Sequence, residues 1–169
     1  MVTDMSALFS GMKITIGRGE DDMDVSSWDT SRCLDMSYMF QGVSRIQCAL
    51  EWDVSSVTSM EGMFLNVKDL SVDISTWQTS SLKNLDHCFQ GISNFNASLS
   101  CWNVSHVTSM KQCFARTEFD EFDITNHFYN EAWTYLDICS WDVSAVECMS
   151  SAFAENKQFN SNLSQWNTS

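Results

Sequence analysis

The chain has no proline and only six glycines among its 169 residues. Those two residues normally mark the places where a backbone reverses, so another device sets its path. Basic side chains are scarce too: 9 Lys+Arg face 22 Asp+Glu, a formal charge of −13. That balance speaks against phosphate neutralisation, so nucleic acid is not an expected partner. No apolar run nears the roughly 18 residues of a membrane-crossing helix, so no transmembrane segment is expected. The opening residues, MVTDMSALFSGMK, lack the basic start and apolar stretch of a secretory signal. HExxH, GxSxG, GxGxxG and phosphate-loop patterns are missing, and His87, His106 and His127 stand in unrelated settings. An enzyme is therefore not expected, and no cofactor is implied. What is plentiful is apolar: 44% of residues are hydrophobic and 12% aromatic against 18% charged, ample for a core.

Six of the seven tryptophans, Trp28, Trp52, Trp77, Trp102, Trp141 and Trp166, are separated by 24, 25, 25, 39 and 25 residues. This is a repeat period. WDVSSVTSMEGMF, WQTSSLKNLDHCF, WNVSHVTSMKQCF and WDVSAVECMSSAF align position by position, with WDTSRCLDMSYMF as a fifth copy. A serine follows each of the six Trp by three residues (Ser31, Ser55, Ser80, Ser105, Ser144, Ser169), and after the first five Met or Leu stands eight residues on and Phe twelve. Both ends fall inside a unit. Extrapolating back from Phe9 gives turns of 31, 24, 25, 25, 39 and 25 residues that use up the whole chain. Neither end carries a polar cap of the kind that closes repeat arrays. A window of a longer array is expected, with end-to-end self-association possible where caps are absent.

Within a unit, Trp102 and Val104 alternate with polar neighbours, the period of a short strand, whereas Val107, Met110 and Phe114 recur at three and four residues, the period of a two-turn helix. Ser105 and its equivalents stand where a helix N-cap belongs. Phe95 and Leu99, like Phe159 and Leu163, are apolar anchors seven and three residues before Trp. One unit cannot bury its own Trp, Val, Met and Phe, so units must pile like on like at about 4.8 Å. The expected fold is an α/β solenoid of about six turns of ~25 residues over 1–169. Each turn is a short parallel strand plus a short helix, and an all-β solenoid is the alternative.

The unit FNxxLSxWDVSxVTxMxxMF closely resembles the BspA-like, lipoprotein-associated repeat of bacterial and protist surface proteins, which is regarded as related to leucine-rich repeats. Gln78 departs from the Asp or Asn after Trp, Ala152 from the Met before Phe, and Phe-Asn occurs in only two turns. The resemblance implies an LRR-like array at the cell surface or outside the cell. Its role there would be non-enzymatic adhesion or binding of a protein or cell-surface ligand. A spacer without its own ligand and a calcium-dependent adhesin are the alternatives.

Two insertions break the period, near residues 13–24 and 117–137. The longer combines acid with aromatics, and Phe119, Phe122, Phe128, Tyr129, Trp133 and Tyr135 resemble the anchors of a contact surface. Packing of these rings onto the side of the array is the plainer reading. Asp120, Glu121, Asp123, His127 and Glu131 supply oxygen and imidazole ligands of a kind that suits a divalent cation, as do Glu20, Asp21, Asp22 and Asp24. Yet their spacing matches no calcium loop, so no metal is assigned. Around the shorter insertion, Ile14 and Ile16 alternate before Gly17 and Gly19, which predicts a small hairpin or excursion. The seven cysteines form no CxxC pair. Cys88 and Cys113 occupy the same place in neighbouring turns, as small buried hydrophobes or a disulfide, and the register allows Cys101 and Cys139 to be neighbours.

Overall fold

The computed structural model describes residues 2–95, 97–118, 138–157 and 159–168. Equivalent positions of successive units lie over one another. Single parallel bridges run Asp4–Asp35–Ser59–Asn84–Ser109–Cys148 through all six turns. A second ladder joins β1 (Thr15–Ile16), β2 (Arg45–Ile46) and β3 (Asp69–Leu70) in a parallel sheet, which Phe95 extends by a bridge to Leu70. Along these strands the residues alternate: Ile16, Ile46 and Leu70 point into the core, while Arg45 and Asp69 face outward and pair across the strands at 3.1 Å.

The expected α/β solenoid is overturned: the described residues contain no helix and only these three two-residue strands. The segment read as helical is a chain of tight turns. Backbone hydrogen bonding shows why. From Met36 onward alternate amides leave the turn, with Met36, Tyr38, Phe40 and Gly42 donating to the carbonyls of Ser59, Glu61, Met63 and Leu65 at 2.7–3.0 Å. The amides between them, of Met39, Gln41 and Val43, donate three residues back, to Met36, Tyr38 and Phe40, at 3.1–3.2 Å. A helix would send every amide four residues back within itself. Here two residues per turn, four apart, take positive φ: Ala7 and Gly11, Tyr38 and Gly42, Gly62 and Asn66, His87 and Gly91, Gln112 and Arg116, Ser151 and Glu155. Each reversal of hand stops helical winding and aims the next amide at the neighbouring turn. The left-handed region costs a residue with a Cβ roughly 1–2 kcal/mol, which the inter-turn bonds must offset at eight non-glycine sites among the described residues.

The apolar period was nonetheless meaningful. Met36, Met39, Phe40 and Val43 are fully buried, the spacing of zero, three, four and seven that a helix face also has. The strand expected at Trp102–Val104 is likewise absent, the ladder lying farther upstream at Phe95. Nor does the shorter insertion form a hairpin: after Gly17 the chain loops so that Met23 returns parallel to Ile16.

Like rings pile on like. Phe9, Phe40, Phe64, Phe89, Phe114 and Phe153 form one column with centroids 5.3–5.9 Å apart and planes within 16°. Beside it, Trp28, Trp52, Trp77 and Trp102 stack at 6.4, 6.4 and 5.9 Å, and Trp141 lies over Trp166 at 6.4 Å. Each such pair adds about 0.5–1.5 kcal/mol beyond area burial. The indole N–H has a partner as well: Trp52, Trp77, Trp102, Trp141 and Trp166 donate to the carbonyls of Val25, Leu50, Ile74, Leu99 and Ile138 at 2.8–3.1 Å. The tryptophans therefore staple neighbouring turns while filling the core.

Candidate functional site

With Trp, Met and Phe turned inward, the outward residues form rows along the stack. The first row lies at the corner after each Trp. There the described serines cap no helix; the amides of four of them donate to the carboxylate or amide oxygen two residues earlier. Ser31, Ser55, Ser105 and Ser144 bond Asp29, Asp53, Asn103 and Asp142 in this way at 2.9–3.1 Å. These are Asx turns. The hydrogen bonds, first from the serine hydroxyl and then from its amide, hold the carboxyls of Asp29, Asp53 and Asp142 below the usual range. Where Thr replaces Val at the next position, it is buried and bonds the adjoining turn: Thr30 Oγ1 donates to Asp53 O at 2.9 Å and Thr79 Oγ1 to Asn103 O at 3.0 Å.

The second row occupies the flank that the tight turns present. Ser37 and Ser59 share a hydrogen bond of 2.8 Å, the Tyr38 hydroxyl donates to Glu61, and Asn84 Nδ2 donates to the other Glu61 oxygen at 3.1 Å. Asp86 takes the next step, accepting from the Ser109 hydroxyl and from the Lys111 amide at 2.7 Å. Tyr38, Glu61, Asn84, Asp86 and Ser109 thus make a half-buried polar band across four turns. The phenol of Tyr38 is pushed up to about 12, chiefly because its bond to the Glu61 carboxylate favours the protonated form. Gly62 completes the band. Ala7, Tyr38, His87, Gln112 and Ser151 show that side chains are accommodated at the equivalent positive φ, so glycine is needed here for space: a Cβ would run into the Tyr38 ring.

Phe119, Phe122, Phe128, Tyr129, Trp133 and Tyr135, and the candidate ligands Asp120, Glu121, Asp123, His127 and Glu131, lie outside the described residues. In the shorter insertion Asp22 accepts the Gly19 amide and Asp24 the Ser26 amide, both at 2.9 Å. Among the described residues no three His, Cys, Asp or Glu side chains are grouped as a metal site would require. His87 faces Gln90 at 2.6 Å and His106 faces Ser105 at 3.2 Å, on separate parts of the repeat. Two surface concavities, of about 450 and 500 Å³, lie beside Met5, Leu8 and Trp28 and beside Cys139, Trp141 and Gln165. Neither adjoins the polar band. Cys88 and Cys113 are buried thiols with no disulfide between them, and burial raises both far above the ordinary thiol range.

Sequence reasoning overlooked the band. Its members vary in type from turn to turn, so no single residue recurs; the available signal was a polar pair seven and nine positions after Trp28, Trp52, Trp77 and Trp102, with Tyr38 one position farther on. A stack whose apolar side chains are shared between identical turns and whose polar ones form lengthwise rows defines a repeat protein with extended flanks. A family model described as "Mycoplasma protein of unknown function, DUF285" matches residues 3–127 and 120–169, and the chain belongs to that family. No curated protein and no solved structure matches the chain. Among the described residues no helix is long and apolar enough to cross a membrane.

Proposed function

We propose that this is a non-enzymatic surface repeat protein of the BspA-like type, which binds protein or other cell-surface ligands through its flank. The observation that carries the reading is the polar band from Tyr38 to Lys111. Its donors and acceptors are held in place by neighbouring turns and form a broad, preorganised face, which suits recognition of another surface. The aromatic insertion joins this proposal on its sequence alone.

The test is saturable attachment of the purified chain to intact cells and to immobilised extracellular proteins, with surface protease treatment of the producing cells to place it. Lys111→Glu on the exposed flank and Phe122→Ala/Tyr129→Ala/Trp133→Ala in the insertion report on the two regions separately. Saturable binding that either variant weakens tenfold while remaining folded supports the proposal. Binding to nothing leaves a spacer, and loss of binding in EDTA indicates a calcium-dependent adhesin instead.

End-to-end association belongs to the same reading. In the first turn the carbonyls of Asp4, Ser6, Leu8 and Ser10 correspond to the acceptors of later turns. In the last, the amides of Met149, Ser151, Phe153 and Glu155 correspond to the donors of earlier ones. Either a second copy or a further turn of the same kind would satisfy both rows.

A further inference from the structure

Cys33, Cys48, Cys88 and Cys113 are buried, whereas Cys101 and Cys139 are exposed. Both exposed thiols sit at corners. Trp102 N–H donates to Leu99 O and Trp141 N–H to Ile138 O, each at 3.1 Å, so each corner is a four-residue turn, with Cys101 third in one and Cys139 second in the other. The two corners are consecutive in the stack: the Trp141 indole reaches back to the Leu99 carbonyl at 3.1 Å, the same bond that joins the Trp102 indole to Ile74 and the Trp166 indole to Ile138. Turns joined by hydrogen-bonded ladders lie about 4.8 Å apart. One residue of displacement along the chain adds about 3.8 Å at right angles. On that spacing the Cα atoms of Cys101 and Cys139 would lie about 6 Å apart, inside the range a disulfide spans, and Leu99 O, which accepts from both the Trp102 amide and the Trp141 indole, holds the two corners together.

We propose that Cys101 and Cys139 are an oxidisable pair whose disulfide staples the two turns flanking the long insertion. The inference rests on this corner geometry and not on the proposed ligand binding. With a small-molecule disulfide such as oxidised glutathione as oxidant, one thiolate attacks it and expels a glutathione thiolate. The second thiolate then attacks the resulting mixed disulfide and expels another. Two protein thiols lose two protons and two electrons, and the oxidant is reduced to two thiols. The pairing is selective. The interior thiols are shielded and are disfavoured as thiolates by burial, and Cys148 lies in another ladder, opposite Ser109.

The experiment equilibrates the 169-residue chain in reduced and oxidised glutathione near neutral pH, quenches with an alkylating agent and maps peptides under non-reducing conditions. The expected result is one linked pair, Cys101 with Cys139, two hydrogens lighter than the separate peptides, in a chain with native tryptophan fluorescence. Because the bond closes a loop of 39 residues, the unfolding midpoint should rise by several degrees. Cys101→Ser should abolish the link and leave a single glutathione on Cys139, and Cys148→Ser should leave the link intact. Glutathione on both cysteines without a link, or links scattered among the other thiols of a folded chain, overturns the proposal.

Discussion

A glycine substitution separates a chain of tight turns from a helix by the sign of its effect. Gln112 lies in the segment Val107–Phe114, where the apolar period predicts a helix, but its φ is +52°. Its amide donates to Ser150 O at 3.0 Å and its carbonyl accepts from Ala115 at 3.2 Å, bonds that glycine retains. Lys111 beside it is exposed, has no positive φ, and likewise bonds through its backbone, to Asp86 and His87. In either fold Lys111→Gly gives the unfolded chain more freedom, at a cost of roughly 0.5–1 kcal/mol. In a helix Gln112→Gly would cost about the same, since Lys and Gln have similar propensities. In this structure it also relieves a left-handed residue of roughly 1–2 kcal/mol. Gln112→Gly should therefore be neutral or stabilising by up to about 1 kcal/mol, with a gap of about 1–2 kcal/mol between the variants. Urea unfolding followed by tryptophan fluorescence measures both. Equal destabilisation by the two, with unchanged slopes, would refute the turn reading.

The Phe column should be most sensitive in its middle. Phe89 stacks on Phe64 and Phe114 at 5.7 and 5.3 Å and also contacts Phe95 and Trp102, so Phe89→Ala should cost about 3–5 kcal/mol, and hydrogen exchange should quicken first in the turns on either side. A loss below about 1 kcal/mol would mean that the column is not continuous. Tyr38 should ionise at about pH 12 in an ultraviolet titration, and Glu61→Gln should bring it down. Because its folded value is raised, the associated stability is complete below about pH 10 and is lost as pH rises towards 12; superimposable titrations of the two proteins would contradict the Tyr38–Glu61 bond. At the acid end, Asp29, Asp53 and Asp142 are lowered in the fold, so their contribution is present above about pH 4 and disappears as pH falls below it. Replacing all three by Asn, as occurs naturally at Asn103, should flatten the thermal midpoint between pH 4 and 2.5, and parallel curves would show that the corners do not act through charge.

The stacking was legible in the residues because repetition itself carries long-range information. Trp, Met and Phe at fixed intervals must either pile up or be exposed, and burial decides for piling. The hand of the local winding was not legible. Buried positions at zero, three, four and seven are shared by a helix face and by three linked tight turns, and the φ signs that separate them leave only weak marks: among the described residues glycine occupies four of the twelve positive-φ sites, and Ala, Tyr, His, Gln, Arg, Ser, Glu and Asn occupy the rest. The scarcity of glycine and proline follows from the same cause. A ladder of inter-turn bonds holds these residues in place where isolated turns would need a permissive residue. Serine three after Trp was visible in all six units, yet in four of them the turn's acceptor is the Asp or Asn two before it, because Asp and Asn have the acceptor that a turn requires.

The two kinds of row have opposite sensitivities to sequence change, and that division bears on function. An inward row works only if each turn repeats its neighbour, since a Phe stacked on a smaller residue leaves a void; Phe accordingly recurs in all six turns. An outward row needs only that donor meet acceptor, and Ser37–Ser59, Tyr38–Glu61, Asn84–Glu61 and Ser109–Asp86 meet that demand with different pairs. Five side-chain types in four bonds carry no constraint from the stack beyond complementarity with the next turn. The flank can therefore diversify while the core stays invariant, the property required of a scaffold that presents distinct surfaces on one architecture. Exchanging Ser37 and Ser59 together for Thr should leave stability within about 0.5 kcal/mol of the parent, whereas Phe64→Leu alone should cost more than 1 kcal/mol. Equal costs for the two changes, read from urea unfolding, would remove the distinction between a permissive flank and a constrained core.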